Sequence, residues 1–455
     1  MMGKVDAQGS MVQMVSLEQL VPQDHFLRQL DAVLDLGFVP GLLQQAYPSN
    51  LGHPGIDPVL AVRMILLSYL YDLSDVRVCE EIHFHAGYRW FCRLDFHRPV
   101  PDRTTLVKFR KRCRGHGLWE ALFHRIVAQC GNIGLLSGQH LMADSTQVHA
   151  NASIKSMQKI QTDLTESADR VCAEEQPEEK TNDEDHHHKD FHGKRYTNAT
   201  HRSTTDPDAR FYRKNKGKEA RLSFKVHLLA DTKSRVIVAT SATGVSGDKA
   251  RDGAQALNLL KQCSQEHGIN PKTLCADTMY GSTETITELT RLGIKPHIPL
   301  HRGKPEMPRW KNIAYLLDRA HKRALRLKQF RILNATWELS KTSGYKISYR
   351  LRHRIEHLFG EAKQSHGLGK ARYRGLEKMN EQATLIAIVQ NLKRLVKFLN
   401  KRPKPIPNKG VVCPNWPLFA HFSVFRAFSG LNSWWSSVVP SLLSIQLGKP
   451  TLQMH

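Results

Sequence analysis

Tyr349-Arg350-Leu351-Arg352-His353-Arg354-Ile355-Glu356-His357-Leu358-Phe359-Gly360-Glu361-Ala362-Lys363 is the stretch from which the rest of the chain is best read. It holds no proline and its one glycine comes late, so a helix is expected over 349–363. At about 100° per residue, Tyr349, Arg352, Glu356 and Lys363 fall within a sector of roughly 60°. One stripe therefore carries a phenol, a guanidinium, a carboxylate and an ammonium. A solvated charged face has the same appearance. The stripe acquires chemistry only if acids elsewhere in the chain join it.

The 455 residues suffice for a full core and two or three domains. Lys and Arg number 66 against 42 Asp and Glu, a formal net charge of +24. Such an excess points to a polyanionic partner, because basic side chains that neutralise phosphates release counterions. The longest apolar run, Val59 to Leu73, is interrupted by Arg63 and Asp72 and is too short to span hydrocarbon. Near Met1, Lys4 and Asp6 stand where a signal peptide would have its apolar centre. A soluble cytoplasmic protein associated with the nucleoid, not with a membrane, is expected. The eight cysteines have no paired short spacing and read as reduced packing residues.

Residues 1–138 read as a helical domain. Asp57-Pro58 is a cap followed by proline at the first helical position, and apolar residues recur at helical spacing from Val59 to Leu70. Pro99-Val100-Pro101 breaks the chain. Asp102 then caps a basic segment with Arg103, Lys108, Arg110 and Lys111, which as part of a helix-turn-helix would contact DNA phosphates. An ordinary bundle with a solvated basic face fits the same residues.

The period changes at Gln139. Gln139 to Val148 reads as a strand holding Asp144, and Asp is depleted in strands. Residues 153–219 form a polar, charge-mixed insert expected to be partly mobile. Its run His186-His187-His188 reads as a solvated tract and not as a metal site. Ala220 to Gly244 gives a hairpin turning at Asp231-Thr232-Lys233-Ser234, and Asp252 to His267 gives a helix. Thr273-Leu274-Cys275-Ala276-Asp277 is a short buried strand ending in an acid. A helix from Thr283 and a strand from Ile294 follow. This order fits an α/β fold with an RNase H-like mixed sheet, its first and fourth strands adjacent and parallel. Asp248 and Asp252 read as turn and cap residues, and Glu361 as surface.

The spacing Tyr349, Arg352, Glu356, Lys363, with Asp144 and Asp277 upstream, resembles the signature of bacterial insertion-sequence transposases of the DDE type. The strings Ala150-Asn151-Ala152-Ser153 and Thr205-Asp206-Pro207-Asp208-Ala209 are similar to strings in one branch of them. Met279 stands where many relatives have glycine. The resemblance covers residues from about 50 to 400. It implies a catalytic domain over 139–400 in which Asp144, Asp277 and Glu356 are catalytic metal ligands, for two Mg²⁺ ions with Mn²⁺ able to substitute. Tyr349, Arg352 and Lys363 would touch phosphates of the transposon end. The implied activity is metal-dependent cleavage at terminal inverted repeats of double-stranded DNA and strand transfer into target DNA, by a homodimer in the synaptic complex. A structure-selective nuclease of the same superfold and a catalytically silent DNA-binding protein are the alternatives. Residues 401–455 are a basic proline-rich linker and a tail without readable periodicity.

Overall fold

A ten-residue strand, β1 (His140–His149), lies inside the sheet in the computed structural model of the protein, which describes residues 14–47, 55–160, 188–189, 195–213, 219–246, 251–307 and 320–401. Among the described residues, eight α-helices precede it: α1 (Leu17–Leu20), α2 (Phe26–Asp31), α3 (Val39–Leu43), α4 (Pro58–Leu70), α5 (Asp75–Phe84), α6 (Ala86–Phe91), α7 (Arg103–Cys113) and α8 (Leu118–Asn132). After it run β2 (Met157–Lys159), β3 (His188–Lys189), β4 (Arg195–Tyr196), β5 (His201–Ser203), β6 (Arg210–Tyr212), β7 (Arg221–Asp231) and β8 (Ile237–Gly244). The remainder is α9 (Asp252–His267), β9 (Thr273–Cys275), α10 (Thr283–Arg291), β10 (Lys295–His297), α11 (Ala320–Ser340), α12 (Ser343–Arg352), α13 (Arg354–Ser365) and α14 (Leu376–Lys401).

The main sheet runs β10-β9-β1-β7, with β8 and β6 both pairing β7. β1 is parallel to β9, with Met142 opposite Cys275, and antiparallel to β7, with Asp144 opposite Leu228. This is the mixed RNase H-like order expected from the sequence. β7 is buried along nearly its whole length, which is why it reads as an apolar run and not as a clean alternation. The turn into β8 is built on Asp231, whose buried carboxylate accepts from the backbone N–H of Lys233 (3.1 Å) and Ser234 (2.8 Å).

Local caps set the helix ends. Asp57 accepts from Val59 N–H at 2.8 Å with Pro58 at the first position, and α4 is then buried from Ala61 through Leu70. That all-round burial comes from α3, α5, α7 and α14 packed around it; α14 also packs on α8 and β8 and joins the N-terminal helices and the sheet into one hydrophobic core. Asn391 of α14 both accepts from Ile237 N–H and donates to Ile237 C=O, each at 2.8 Å. It satisfies backbone groups that an edge strand would otherwise leave open. The described residues lie within one compact unit, and residues 403–455 lie outside the described residues.

Two expectations change. The insert is structured at its end: β6 joins the sheet with Phe211 fully buried, and the carboxylates of Asp206 and Asp208 accept from Gly375 N–H (3.2 Å) and Leu376 N–H (3.0 Å). Those acids cap α14, a reason for the Asp-Pro-Asp string that its sequence did not reveal. His186, His187 and the acidic middle of the insert lie outside the described residues, as does Asp248. The helix expected over 349–363 is two helices, broken at His353, so Tyr349 and Arg352 end α12 while Glu356 and Lys363 belong to α13.

Candidate active site

Asp144 sits in the middle of β1, and Asp277 follows the last residue of β9 by two positions. Because β1 and β9 are parallel with Met142 opposite Cys275, continuing the register brings the two acids side by side. Asp277 is extended (φ −79°, ψ −179°) and its Oδ1 accepts from Met279 N–H at 2.9 Å, capping the short turn Thr278–Tyr280. Met279 is exposed, so its side chain asks nothing of that turn, and the departure from glycine leaves it intact. Gly281 follows with no room for more: an added Cβ would lie 2.0 Å from Pro299 O.

Glu356 lies in the first turn of α13, its side chain 59% exposed. Its Oε1 is 3.1 Å from His353 Nδ1 and 4.0 Å from Arg352. Arg352 reaches to 4.0 Å from Asp144 Oδ2 as well, so one guanidinium links the carboxylates of β1 and α13. Arg352 lies over the Tyr349 ring at 5.4 Å, Tyr349 stacks on Tyr345, and Tyr345 packs against His297 at the end of β10. Cys275 Sγ donates to Ser348 C=O at 3.4 Å, which ties α12 to β9. Sheet packing, not helix periodicity alone, aims this stripe at the strand ends.

The electrostatics match the placement. Burial pushes Asp144 up to about 6; Ser145 N–H holds it down, Asp277 and Asp252 push it further up, and Arg352 opposes them. Asp277 is also raised, first by burial, with Asp252 adding to the shift and Arg352 and Lys225 resisting it. Neighbouring carboxylates that resist ionisation mark negative charge the protein has not neutralised. An all-oxygen donor set of this kind suits a hard divalent cation. Lys363 is exposed one turn beyond Leu358 and Phe359 and near enough to β1 to depress the His149 pKa, after burial and Arg221.

Asp252 is the acid the sequence misassigned. It occupies the first position of α9, after Arg251 at the cap, with its side chain only 9% exposed. Lys225 Nζ donates to Oδ2 at 2.6 Å, Ser145 Oγ donates to Oδ1 at 2.8 Å, and His227 Nδ1 is 3.5 Å from Oδ1. An Asp at a helix start carries no sequence signal that separates a cap from a buried partner. Glu361 is not surface either: it meets His366 Nε2 at 3.7 Å, Lys393 at 2.8 Å and Arg394 at 2.9 Å, and against the upward push of burial His366, then Arg394 and Lys393, hold its carboxyl well below the usual range.

Among the expected phosphate contacts of α7, Arg103, Lys108 and Lys111 are exposed. Arg110 is not: it is buried, pairs both Oδ atoms of Asp75 at 2.7 and 2.8 Å, and lies over the Tyr373 ring. A guanidinium so engaged has no face left for DNA, which corrects that expectation. His124, Glu266 and His267 place possible ligand atoms within 4.8 Å of one another. A hydrogen-bonded chain accounts for them without an ion, His124 Nδ1 meeting His267 Nε2 at 3.1 Å and His124 Nε2 meeting Glu266 at 3.3 Å.

Residues 15–112 match a family described as a transposase domain (DUF772), and residues 188–392 match one described as a transposase DDE domain. Asp277, Tyr349, Arg352, Glu356 and Lys363 lie inside the second range, and Asp144 lies between the two. A cryo-EM structure of the piggyBac transposase synaptic complex with hairpin DNA aligns over 83% of this chain and 80% of that one, at 7% identity and a TM-score of 0.25. So loose a superposition carries no argument about this chain.

Proposed function

The chain is a DNA transposase carrying a DDE domain, and on that premise we propose that Asp144, Asp277 and Glu356 are its catalytic acids. The reading rests chiefly on the adjacency of Asp144, in the middle of β1, and Asp277, just past the end of β9, both carboxyls raised above their ordinary range, with Arg352 4.0 Å from both Asp144 and Glu356. The DDE domain implies metal-dependent cleavage and strand transfer; two Mg²⁺ ions, with Mn²⁺ able to substitute, suit the oxygen donors. Bound there, the ions would help activate the attacking oxygen and stabilise the leaving one. In this reading β1 and the turn after β9 supply two of the acids from rigid positions, and α13 supplies the third.

Arg352, Tyr349 and Lys363 would position the transposon end through its phosphates, a guanidinium being suited to paired phosphate oxygens. Arg103, Lys108 and Lys111 on the N-terminal helical part would hold the duplex, in keeping with the net charge of +24. Double-stranded DNA, both terminal inverted repeats and target, is the partner, and a homodimer would bring two ends together. No helix among the described residues is long and apolar enough to cross a membrane.

With Mg²⁺ and a labelled duplex bearing the element's own terminal repeat, the protein nicks at the repeat end and joins that end to target DNA. A scrambled end remains uncut. Equal cutting of both ends, or cutting in chelator, overturns the assignment.

Metal binding should also depend on pH. Protonated Asp144 is a poor ligand, and its carboxyl is pushed up to about 6. Affinity is therefore full above that value and falls as pH drops through it. Mn²⁺ titration of the wild type shows a dissociation constant at least about tenfold weaker at pH 5.0 than at pH 7.5. An unchanged constant would mean that Asp144 does not hold the ion.

A further inference from the structure

The segment 366–375, between α13 and α14, is held from several sides. His366 Nδ1 donates to Tyr69 C=O at 2.8 Å, and the Arg372 guanidinium donates to Leu73 C=O at 2.9 Å and to Asp72 at 2.7 Å. Gln382 accepts from Arg372 N–H at 2.8 Å and donates to the C=O of Gly367 and of Lys370, each at 3.1 Å. His149, the last residue of β1, donates its N–H to Gly369 C=O at 3.2 Å and accepts from Ala371 N–H at 2.7 Å. Gly367 has φ +73°, and an added Cβ would lie 2.2 Å from Asp72 Oδ1, so the turn requires glycine there. The backbone around Lys370 is thus fixed while its side chain is exposed, and no ion pair joins that side chain among the described residues. Lys370 shares a cavity of about 480 Å³ with Lys363, Arg372, Asn151 and Asp72. Three cations meet one carboxylate in its wall, and Arg372 already pairs that carboxylate. Arg374 adds its charge beside them, where Nε donates to Asn151 C=O at 3.4 Å. A wall of this charge takes an anion, and with no aromatic ring among its described residues it suits a phosphodiester and not a base.

We propose that this cavity holds a backbone phosphate of the bound transposon end, and that Lys370 is a second anchor of that strand beside Lys363. The inference rests on the reading of Lys363 as a phosphate contact. Lys370 is joined to the end of β1 by the bridge to His149, five residues beyond Asp144 on the same strand. At about 3.3 Å per residue, His149 is roughly 16 Å from Asp144. That is about half of the roughly 34 Å turn of a duplex. The phosphate held there is therefore within about half a turn of the scissile bond. Two fixed points set the direction in which the duplex leaves Asp144, whereas a single contact would let it swivel.

Fluorescence anisotropy of the full chain with a labelled terminal-repeat duplex, in chelator and over a range of salt, tests this apart from cleavage. Lys370→Gln should lower the slope of log affinity against log salt by about 0.9, the value of one phosphate contact, with an unchanged thermal midpoint, while Lys370→Arg keeps the wild-type slope. Ethylation of single phosphates should weaken wild-type binding at a position within about half a turn of the scissile bond, and should no longer matter there in Lys370→Gln. A wild-type slope in Lys370→Gln overturns the inference. Lys363→Gln serves as the reference. If it lowers the slope and Lys370→Gln does not, only this inference falls; if neither does, the reading of Lys363 as a phosphate contact falls with it. Target DNA offers the same phosphodiester chemistry. Repeat binding at the wild-type level, with weaker capture of an unrelated plasmid by the end-bound protein, would give the cavity to target DNA and overturn its assignment to the transposon end.

Discussion

Asp144→Asn lowers the rate of DNA end cleavage by about 10³-fold or more, a barrier increase of about 4 kcal/mol. The substitution conserves volume and keeps an oxygen able to accept from Ser145 N–H, which bonds Oδ1 at 2.8 Å. The strand and its pairing with β7 and β9 therefore remain. What disappears is a charge that burial, Asp277 and Asp252 already make costly, and that a divalent ion at the strand ends would offset. Removing it should leave the thermal midpoint unchanged or raised in the absence of metal, because one source of repulsion is gone. A fall in activity together with a fall in metal-free stability would instead mark Asp144 as a structural residue. Glu356→Gln, on an exposed side chain that meets His353 and Arg352, should reproduce the loss of cleavage with still less effect on folding.

Arg110→Ala unfolds the helical part more than it weakens DNA binding. The residue pairs Asp75 through two hydrogen bonds, Tyr373 donates to the same carboxylate at 3.1 Å, and the guanidinium covers the Tyr373 ring at 5.2 Å. Truncation leaves Asp75 largely buried without its cation and opens a gap between α5, α7 and the segment before α14. The expected loss is about 3–5 kcal/mol of unfolding free energy, read from chemical denaturation. Lys108→Ala and Lys111→Ala, both on exposed side chains, should change stability by less than about 0.5 kcal/mol and lower DNA affinity in a salt-dependent way. If Arg110→Ala weakens DNA binding while keeping full stability, its side chain serves the DNA and not the core.

Much of the framework was legible because it is local. Asp57-Pro58 starts α4, Asp252 to His267 is α9 from end to end, and Asp231 with Ser234 turns β7 into β8. Caps and turns act within a few residues of themselves, so the sequence around them contains the whole cause. The alternation of strand and helix likewise constrained the sheet, since a parallel pair requires a crossover between its strands and the handedness of crossovers leaves few topologies. Order alone put Asp144 and Asp277 on adjacent strands.

What the sequence by itself determined about this protein, then, is its charge, its element order, its RNase H-like sheet and the succession of acids along it. Only the tertiary structure decided which charges became partners. Arg110 looked like its basic neighbours on α7, and went inside because Asp75 and Tyr373 meet it there. Glu361 looked like surface, and is held by Lys393 and Arg394 of a helix that returns alongside it. Asp252 looked like a cap, and found Lys225 from a different element. The break at His353 separates Arg352 from Glu356 by a helix end, yet leaves the Arg352 guanidinium 4.0 Å from each of Glu356 and Asp144. The physical reason is shared by Arg110, Glu361 and Asp252. A buried charge is fixed by desolvation and by whichever opposite charge shares its space, and which residues share space is settled only when the elements pack.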